Sequence, residues 1–182
     1  MSRPEWNDYF MSIAYLVSSR ATCDRKKVGA VLVKDRTIIS TGYNGAASGM
    51  PHCDEIGHEL KDIEGRPSCV RTIHAESNAI DQAKESLKYA TLYTNVIPCY
   101  DCAKRIVNAK ISRVYYAEYY ASRNTELVEE YFRKSQWVDP QAADQFSKGT
   151  ELIKWEGEFI TPLIPEDIVT RTALIQKQRI SE

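Results

Sequence analysis

The first regular pattern in the chain is helical. Trp6, Phe10, Ile13 and Val17 follow one another at spacings of four, three and four, so residues 5–19 read as an amphipathic helix. The period then shortens to that of strands. VGAVLVK (28–34) and TIIST (37–41) are β-branched runs separated by Asp35-Arg36, the pattern of a hairpin. Residues 42–71 hold most of the early glycines and prolines, together with two histidines and two cysteines, and read as a long loop. A loop of that length inside a compact domain is functional or needs a clamp. From Ile73 the pattern is helical again through HAESNAIDQAKE. ATLYTNV (90–96) reads as a strand, CYDCAKRIVNA (99–109) as a helix and ISRVYYAEY (111–119) as a strand. This alternation predicts an α/β layered fold with helices packed on a sheet. Farther on, residues 125–134 read as a helix, 151–160 as a strand and 166–180 as a terminal helix. No repeat or linker-like shift interrupts the chain, and 182 residues suit one core.

Composition narrows the function classes. The hydrophobic fraction is 43% and the charged fraction 27%, ordinary values for a globular domain. The 24 basic and 25 acidic residues leave a net charge of −1. A protein that lives on a nucleic-acid backbone carries a basic excess or stripe. The balance here argues against a polymeric nucleic acid and fits a small anion held by a few local cations. No apolar run approaches the roughly 20 residues of a membrane span, and MSRPEWNDYF lacks a secretory apolar region. The expectation is a cytoplasmic protein without a membrane partner. In that reducing compartment, five cysteines read as metal ligands, nucleophiles or buried thiols before disulfides.

Their spacing carries the chemistry. Cys99 and Cys102 lie three apart at the start of a predicted helix, so both sulfurs can reach one ion. His74 begins the other helix, and Glu76 follows two residues later. One imidazole and two thiolates leave the fourth tetrahedral position of a zinc ion for water, which marks a catalytic site. Both ligand groups sit at helix N-termini, where the dipole favours thiolate and hydroxide. Glu76 is out of phase as a second ligand but can reach the water. Either half alone stays ambiguous, since a C-x-x-C is also structural or redox-active and a lone histidine is usually a core residue. Together, His74-Ala75-Glu76 and Pro98-Cys99-Tyr100-Asp101-Cys102 resemble the H-x-E…P-C-x-x-C signature of zinc nucleobase deaminases.

A closer resemblance rests on EWNDYFM, TC followed by KKVGAVLVKD, IISTGYNGAASGMPHC, CVRTIHAESNAI, ATLYTNVIPCYDCAKRIVNAKI and RVYYAEYY, which span residues 5–120. In these the chain is similar to the deoxycytidylate deaminases of bacterial and phage type. The resemblance implies a cytidine deaminase-like fold, a three-layer α/β/α arrangement with a five-stranded mixed sheet. It implies a deaminase core over 1–120; residues 121–182 match the family less clearly and, with no linker-like shift before them, read as a C-terminal extension packed on the same domain. It implies hydrolysis of dCMP to dUMP and ammonia, which supplies dUMP for thymidylate synthesis, in a homo-oligomer (a hexamer) with dCTP and dTTP as effectors. It also implies that Asn44 of GYNG touches the substrate sugar and that Tyr120 packs on the pyrimidine. Read without it, Asn44-Gly45 is a turn and Tyr120 a strand-end tyrosine. Arg25, Lys26 and Lys27 are the nearest cations to these elements. Arg25 ranks first as the phosphate partner, with a solvated surface run as the alternative. Other readings are a dCTP or nucleoside deaminase, a deaminase of a base in RNA or DNA, and a non-catalytic zinc-binding regulatory module.

Cys23, Cys53 and Cys69 remain, and all fall outside the predicted regular elements. With a histidine they would complete a closed Cys₃His zinc site that clamps the long loop. His58 is favoured over His52, because a five-residue spacing from Cys53 lets the chain turn back, whereas His52 is adjacent to it. The resemblance points the same way, since related bacterial and phage sequences carry a second zinc there. The alternative is three buried free thiols.

Overall fold

The computed structural model describes residues 3–63, 67–120, 125–138 and 147–160. In chain order its elements are α1 (Trp6–Ser18), β1 (Gly29–Lys34), β2 (Thr37–Tyr43), β3 (Gly45–Ala46), α2 (Cys53–Ile56), β4 (Leu60–Asp62), β5 (Pro67–Cys69) and β6 (Thr72–Ile73). They continue with α3 (Ala75–Gln82), β7 (Thr91–Val96), α4 (Tyr100–Asn108), β8 (Arg113–Glu118), α5 (Thr125–Lys134), β9 (Trp137–Val138), β10 (Ser147–Lys148) and β11 (Glu151–Lys154). Five strands form one mixed sheet in the order β11-β8-β7-β1-β2. β1 runs antiparallel to both β2 and β7, while β7, β8 and β11 are parallel.

Alternation along the central strands divides the core between two faces. Ala30, Leu32 and Leu92 pack with Ala79 of α3, Ala103 and Ile106 of α4 and Phe132 of α5. On the other face, Val31, Val33 and Tyr93 meet Phe10, Met11, Ala14 and Tyr15 of α1. The result is the three-layer arrangement the resemblance implied. Asp35 and Arg36 both take positive φ (49° and 62°), which two-residue hairpin loops require, so the β1–β2 hairpin turns where the sequence placed it.

Several expectations are corrected. The inner face of α1 is Phe10, Met11, Ala14, Tyr15 and Ser18, while Trp6 is largely exposed. One reason is close approach to β1: a Cβ at Gly29 would strike the Ala14 carbonyl and Ser18 backbone, so the small Ala14 and Ser18 sit over that glycine while Phe10, Met11 and Tyr15 fill the core beside them. The stretch 42–71 is not one loop. It holds the end of β2, the four-residue α2 and short two-stranded pairings of β3 with β6 and β4 with β5. The strand expected over 151–160 ends at Lys154. Beyond it the chain crosses α1, where Trp155 Nε1 donates to Asp8 and the Ile160 backbone N–H to Ser12 Oγ. The terminal helix expected at 166–180 lies outside the described residues. Among the described residues, no helix is long and apolar enough to cross a membrane.

Candidate metal centre and substrate cavity

His74 is the N-cap of α3 and Cys99 the N-cap of α4, so two strand-to-helix turns deliver the donor atoms. α3 is seated tightly on β2. A Cβ at Gly42 would fall on the Ala75 carbonyl and the Ala79 amide, Ser40 Oγ donates to the Ala79 carbonyl at 2.6 Å, and Asn78 Nδ2 donates to the Tyr43 carbonyl at 2.8 Å. α4 is anchored by the buried Ala103 and Ile106, and the turn before it by the Ile97 amide, which donates to the Glu118 carbonyl at 2.8 Å. These constraints put His74 Nδ1 3.2 Å from Cys99 Sγ and 3.4 Å from Cys102 Sγ. Glu76 is 2% exposed and lines the same cavity as His74 and Cys99.

The donor chemistry fits zinc. The hydrogen bond with Cys99, then burial and then the Glu76 charge push the Cys102 thiol well above its usual value. A divalent cation among these acidic groups reverses that penalty and favours the thiolates. Three sulfur and nitrogen donors also leave one tetrahedral position open.

The cavity measures about 730 Å³ and reaches well beyond these ligands. Asn44, Tyr120 and Arg25 all line it. Asn44 is buried, its Oδ1 accepting from the Val28 amide at 2.7 Å and its Nδ2 donating to the Lys26 carbonyl at 2.9 Å. Its carboxamide is therefore locked in orientation, with a second site on each end. Arg25 is half-buried and donates through Nη2 to the Pro67 carbonyl at 2.9 Å. Lys26 also lines the cavity, and its ammonium pairs with Glu118 Oε2 at 2.7 Å. Tyr15 Oη donates to the other oxygen of Glu118 at 2.7 Å. Burial and then that carboxylate push the Tyr15 phenol above its ordinary value, so it stays a donor. Tyr15 and Glu118 act behind Lys26, and their link to it was not legible, because 103 positions separate the two residues.

The remaining cysteines converge on a second group. Cys23 follows α1, Cys53 opens α2, His58 comes just after α2 and Cys69 ends β5. The donor atoms of Cys23, Cys53 and His58 lie within 4.8 Å of one another. Cys23 Sγ is 3.8 Å from His58 Nδ1, and Cys53 Sγ is 3.6 Å from Cys69 Sγ. Burial and the Cys69 hydrogen bond push the Cys53 thiol up to about 12. Burial acts the same way on Cys69, but hydrogen bonds led by the Arg71 backbone outweigh it and leave that thiol lowered. The other ring nitrogen of His58, Nε2, meets Asp24 Oδ1 at 3.0 Å. Asp24 was overlooked in the sequence, although its place next to Cys23 was a visible signal. His52 stands apart from this group as the N-cap of α2, its backbone N–H donating to Glu55 at 3.0 Å.

Comparison with known proteins bears on this arrangement. A family model described as the cytidine and deoxycytidylate deaminase zinc-binding region matches residues 4–118. ComE operon protein 2 of Bacillus subtilis is 43% identical over 123 residues, which cover 66% of this chain and 63% of that protein. The chain thus spans less than two thirds of that relative. Deoxycytidylate deaminase of Mycobacterium phage D29 is 42% identical over 125 residues, covering 64% of this chain and 97% of the phage protein. Among solved structures, dCMP deaminase of the cyanophage S-TIM5 in complex with dCMP and dUMP superposes with a TM-score of 0.62 at 28% identity. That match covers 85% of this chain and all of the phage chain.

Proposed function

The chain belongs to the cytidine and deoxycytidylate deaminase zinc-binding family, and on that footing we propose that it hydrolyses dCMP to dUMP and ammonia. The observation that carries the reading is the convergence of His74, Cys99 and Cys102 within hydrogen-bonding range of one another, beside a buried Glu76 in one cavity.

His74 Nδ1 and the sulfurs of Cys99 and Cys102 would hold the zinc ion. Bound there, the ion supplies Lewis-acid activation of water near neutral pH. Glu76 does the proton work. Its carboxylate takes the proton released as water adds to C4 of the pyrimidine and delivers it to N3. It then assists the departing amine, so the group ends as it began. Burial of Glu76 keeps competing solvent from its carboxylate. Asn44, locked by the backbone on either side, presents fixed hydrogen-bonding sites to the sugar. Tyr120 covers the ring, and Arg25 is the first partner for the phosphate, with Lys26 beside it on the same wall.

Further parts of the reading belong together. Residues 1–120 form the deaminase core, and 121–182 are an extension of the same domain, as the fifth strand β11 beside β8 supports. A second, structural zinc sits among Cys23, Cys53, His58 and Cys69. The protein works in the cytoplasm as a homo-oligomer, a hexamer in this reading, and responds to dCTP and dTTP.

The test is ammonia release from purified protein given dCMP, dCTP, deoxycytidine and CMP side by side, with zinc counted on the same sample. Preferential turnover of dCMP is expected. Zinc bound without turnover of any of the four would overturn the assignment in favour of a polynucleotide substrate or a regulatory module.

A further inference from the structure

The two cysteine groups share a wall. Cys23 and Cys69 line the same cavity as His74, Glu76 and Cys99. The chain between them is short: Cys69 precedes His74 by five residues, and Thr72 on that segment also lines the cavity. On the other branch, Cys23 precedes Arg25 by two residues, and Arg25 reaches across to the carbonyl of Pro67, two residues before Cys69. The Thr22 backbone N–H donates to the Asn44 carbonyl at 3.2 Å, so Asn44 is tied to the residue before Cys23. β3 and β6 close the circuit, since Gly45 and Ala46 pair with Ile73 and Thr72. Arg25, Lys26, Asn44 and the 67–72 segment are thus all fastened to backbone that leaves the Cys23, Cys53, His58, Cys69 group. The stretch from Cys53 to Cys69 has little regular structure of its own: α2 has four residues, β4 and β5 have three each, and β4 is exposed throughout.

We propose that this group is a positioning device for the substrate-facing wall, and that Asp24 is the positioning residue that holds His58 in it. Occupancy of the group by zinc then sets how tightly the nucleotide binds and leaves the chemical step alone. The inference rests on the reading of the group as a second zinc site. It adds that the ion acts on substrate affinity and that a carboxylate on the imidazole sets the affinity for the ion. Asp24 is suited to that part, as its Oδ1 lies 3.0 Å from His58 Nε2, the nitrogen pointing away from Cys23. Outer carboxylates of this kind fix the imidazole tautomer and raise its basicity, and losing one costs about 10–100-fold in metal affinity.

The experiment titrates zinc into metal-depleted wild type and Asp24→Asn, counts bound ions, and measures kcat and KM for dCMP at each occupancy. Asp24 is exposed, so the variant is expected to fold. Expected is a second zinc that binds Asp24→Asn about 10–100-fold more weakly. Over that occupancy range KM rises about tenfold or more and kcat holds, the signature of lost ground-state and transition-state binding together. Excess zinc should restore KM. Cys53→Ser, which removes a ligand outside the cavity wall, should fix KM at its raised value whatever the zinc concentration. Loss of the second ion with unchanged KM would overturn the proposal and leave the site a scaffold. A parallel fall in kcat would overturn it as well, by routing the effect through the catalytic ion. One zinc per chain in wild type, unaffected by either variant, would remove the second-ion reading and the proposal with it.

Discussion

The two cysteine–histidine groups use similar donors but are assembled by different means. His74, Cys99 and Cys102 come from the first residues of α3 and α4, and both helices are pinned to the sheet by fully buried Ala79, Ala103 and Ile106. Hydrophobic burial, at about 25 cal/mol per Å², stabilises that geometry before any ion arrives. Cys23, Cys53, His58 and Cys69 come from a turn, a one-turn helix and a three-residue strand, with Ile56, Leu60 and Ile63 exposed around them. On the reading of this group as a second zinc site, the order of ligation and folding is reversed there, because an ion would have to stabilise the backbone that carries its ligands. A preformed group can keep an open coordination position for chemistry, whereas a group that had to hold its own scaffold together would use all four donors.

The largest effect expected from any one change separates chemistry from ligation. Glu76→Gln keeps shape and leaves every sulfur and imidazole in place. It should lower kcat on dCMP by about a hundred- to ten-thousand-fold, the usual worth of a positioned acid–base group. Metal analysis should find the zinc content of Glu76→Gln unchanged. Turnover near that of wild type would remove Glu76 from the proton path.

A crossed pair of cysteine variants then tests the contrast directly. Cys102→Ser should abolish turnover with its zinc yet leave the sheet core resistant to protease, because the helices carrying the ligands are held by packing. Cys53→Ser should keep kcat within about twofold and open residues 50–71 to limited proteolysis. Its melting temperature should drop by about 2–4 °C per kcal/mol of stability lost. If Cys102→Ser loosened the chain more than Cys53→Ser, the claimed difference in preorganisation would be wrong.

The same contrast explains what the sequence made legible. Helix and strand periods around His74, Cys99 and Cys102 are regular because those elements bury one face, so the fold and the ligands could be read together. The four residues of the second group could be gathered only by elimination, since α2, β4 and β5 are too short to carry a period. Asn44 was legible through family resemblance, but its anchoring on Val28 and Lys26 was not, because those are backbone contacts made by folding. The Tyr15–Glu118–Lys26 chain joins α1, β8 and the segment before β1 across the sheet, and no local spacing encodes it. The face of α1 was read only in part: Phe10, Ile13 and Val17 do pack on the core, whereas Trp6 does not and Met11, Ala14, Tyr15 and Ser18 were missed. Close approach at Gly29 selects the small Ala14 and Ser18, and a stripe of large apolar residues does not report those two positions.

Two glycines three residues apart offer the finest test. At Gly42 a Cβ would press on the backbone of α3 at Ala75 and Ala79, which cannot yield without lifting the helix that begins at His74. At Gly45 a Cβ would come within 2.9 Å of Thr22 Oγ1, the end of a side chain that can rotate. Gly42→Ala should therefore cost about 1–3 kcal/mol of stability, the usual range for overpacking. Because the displaced helix carries both His74 and Glu76, kcat on dCMP should fall with it. Gly45→Ala should cost less and spare kcat, while any loss falls on the group that Cys23 joins, next to Thr22. Denaturant unfolding and dCMP turnover on the two variants compare them directly. A larger stability loss at Gly45 would mean that the segment joining the two groups is packed more tightly than the helix it adjoins, and that the second group is as preorganised as the first.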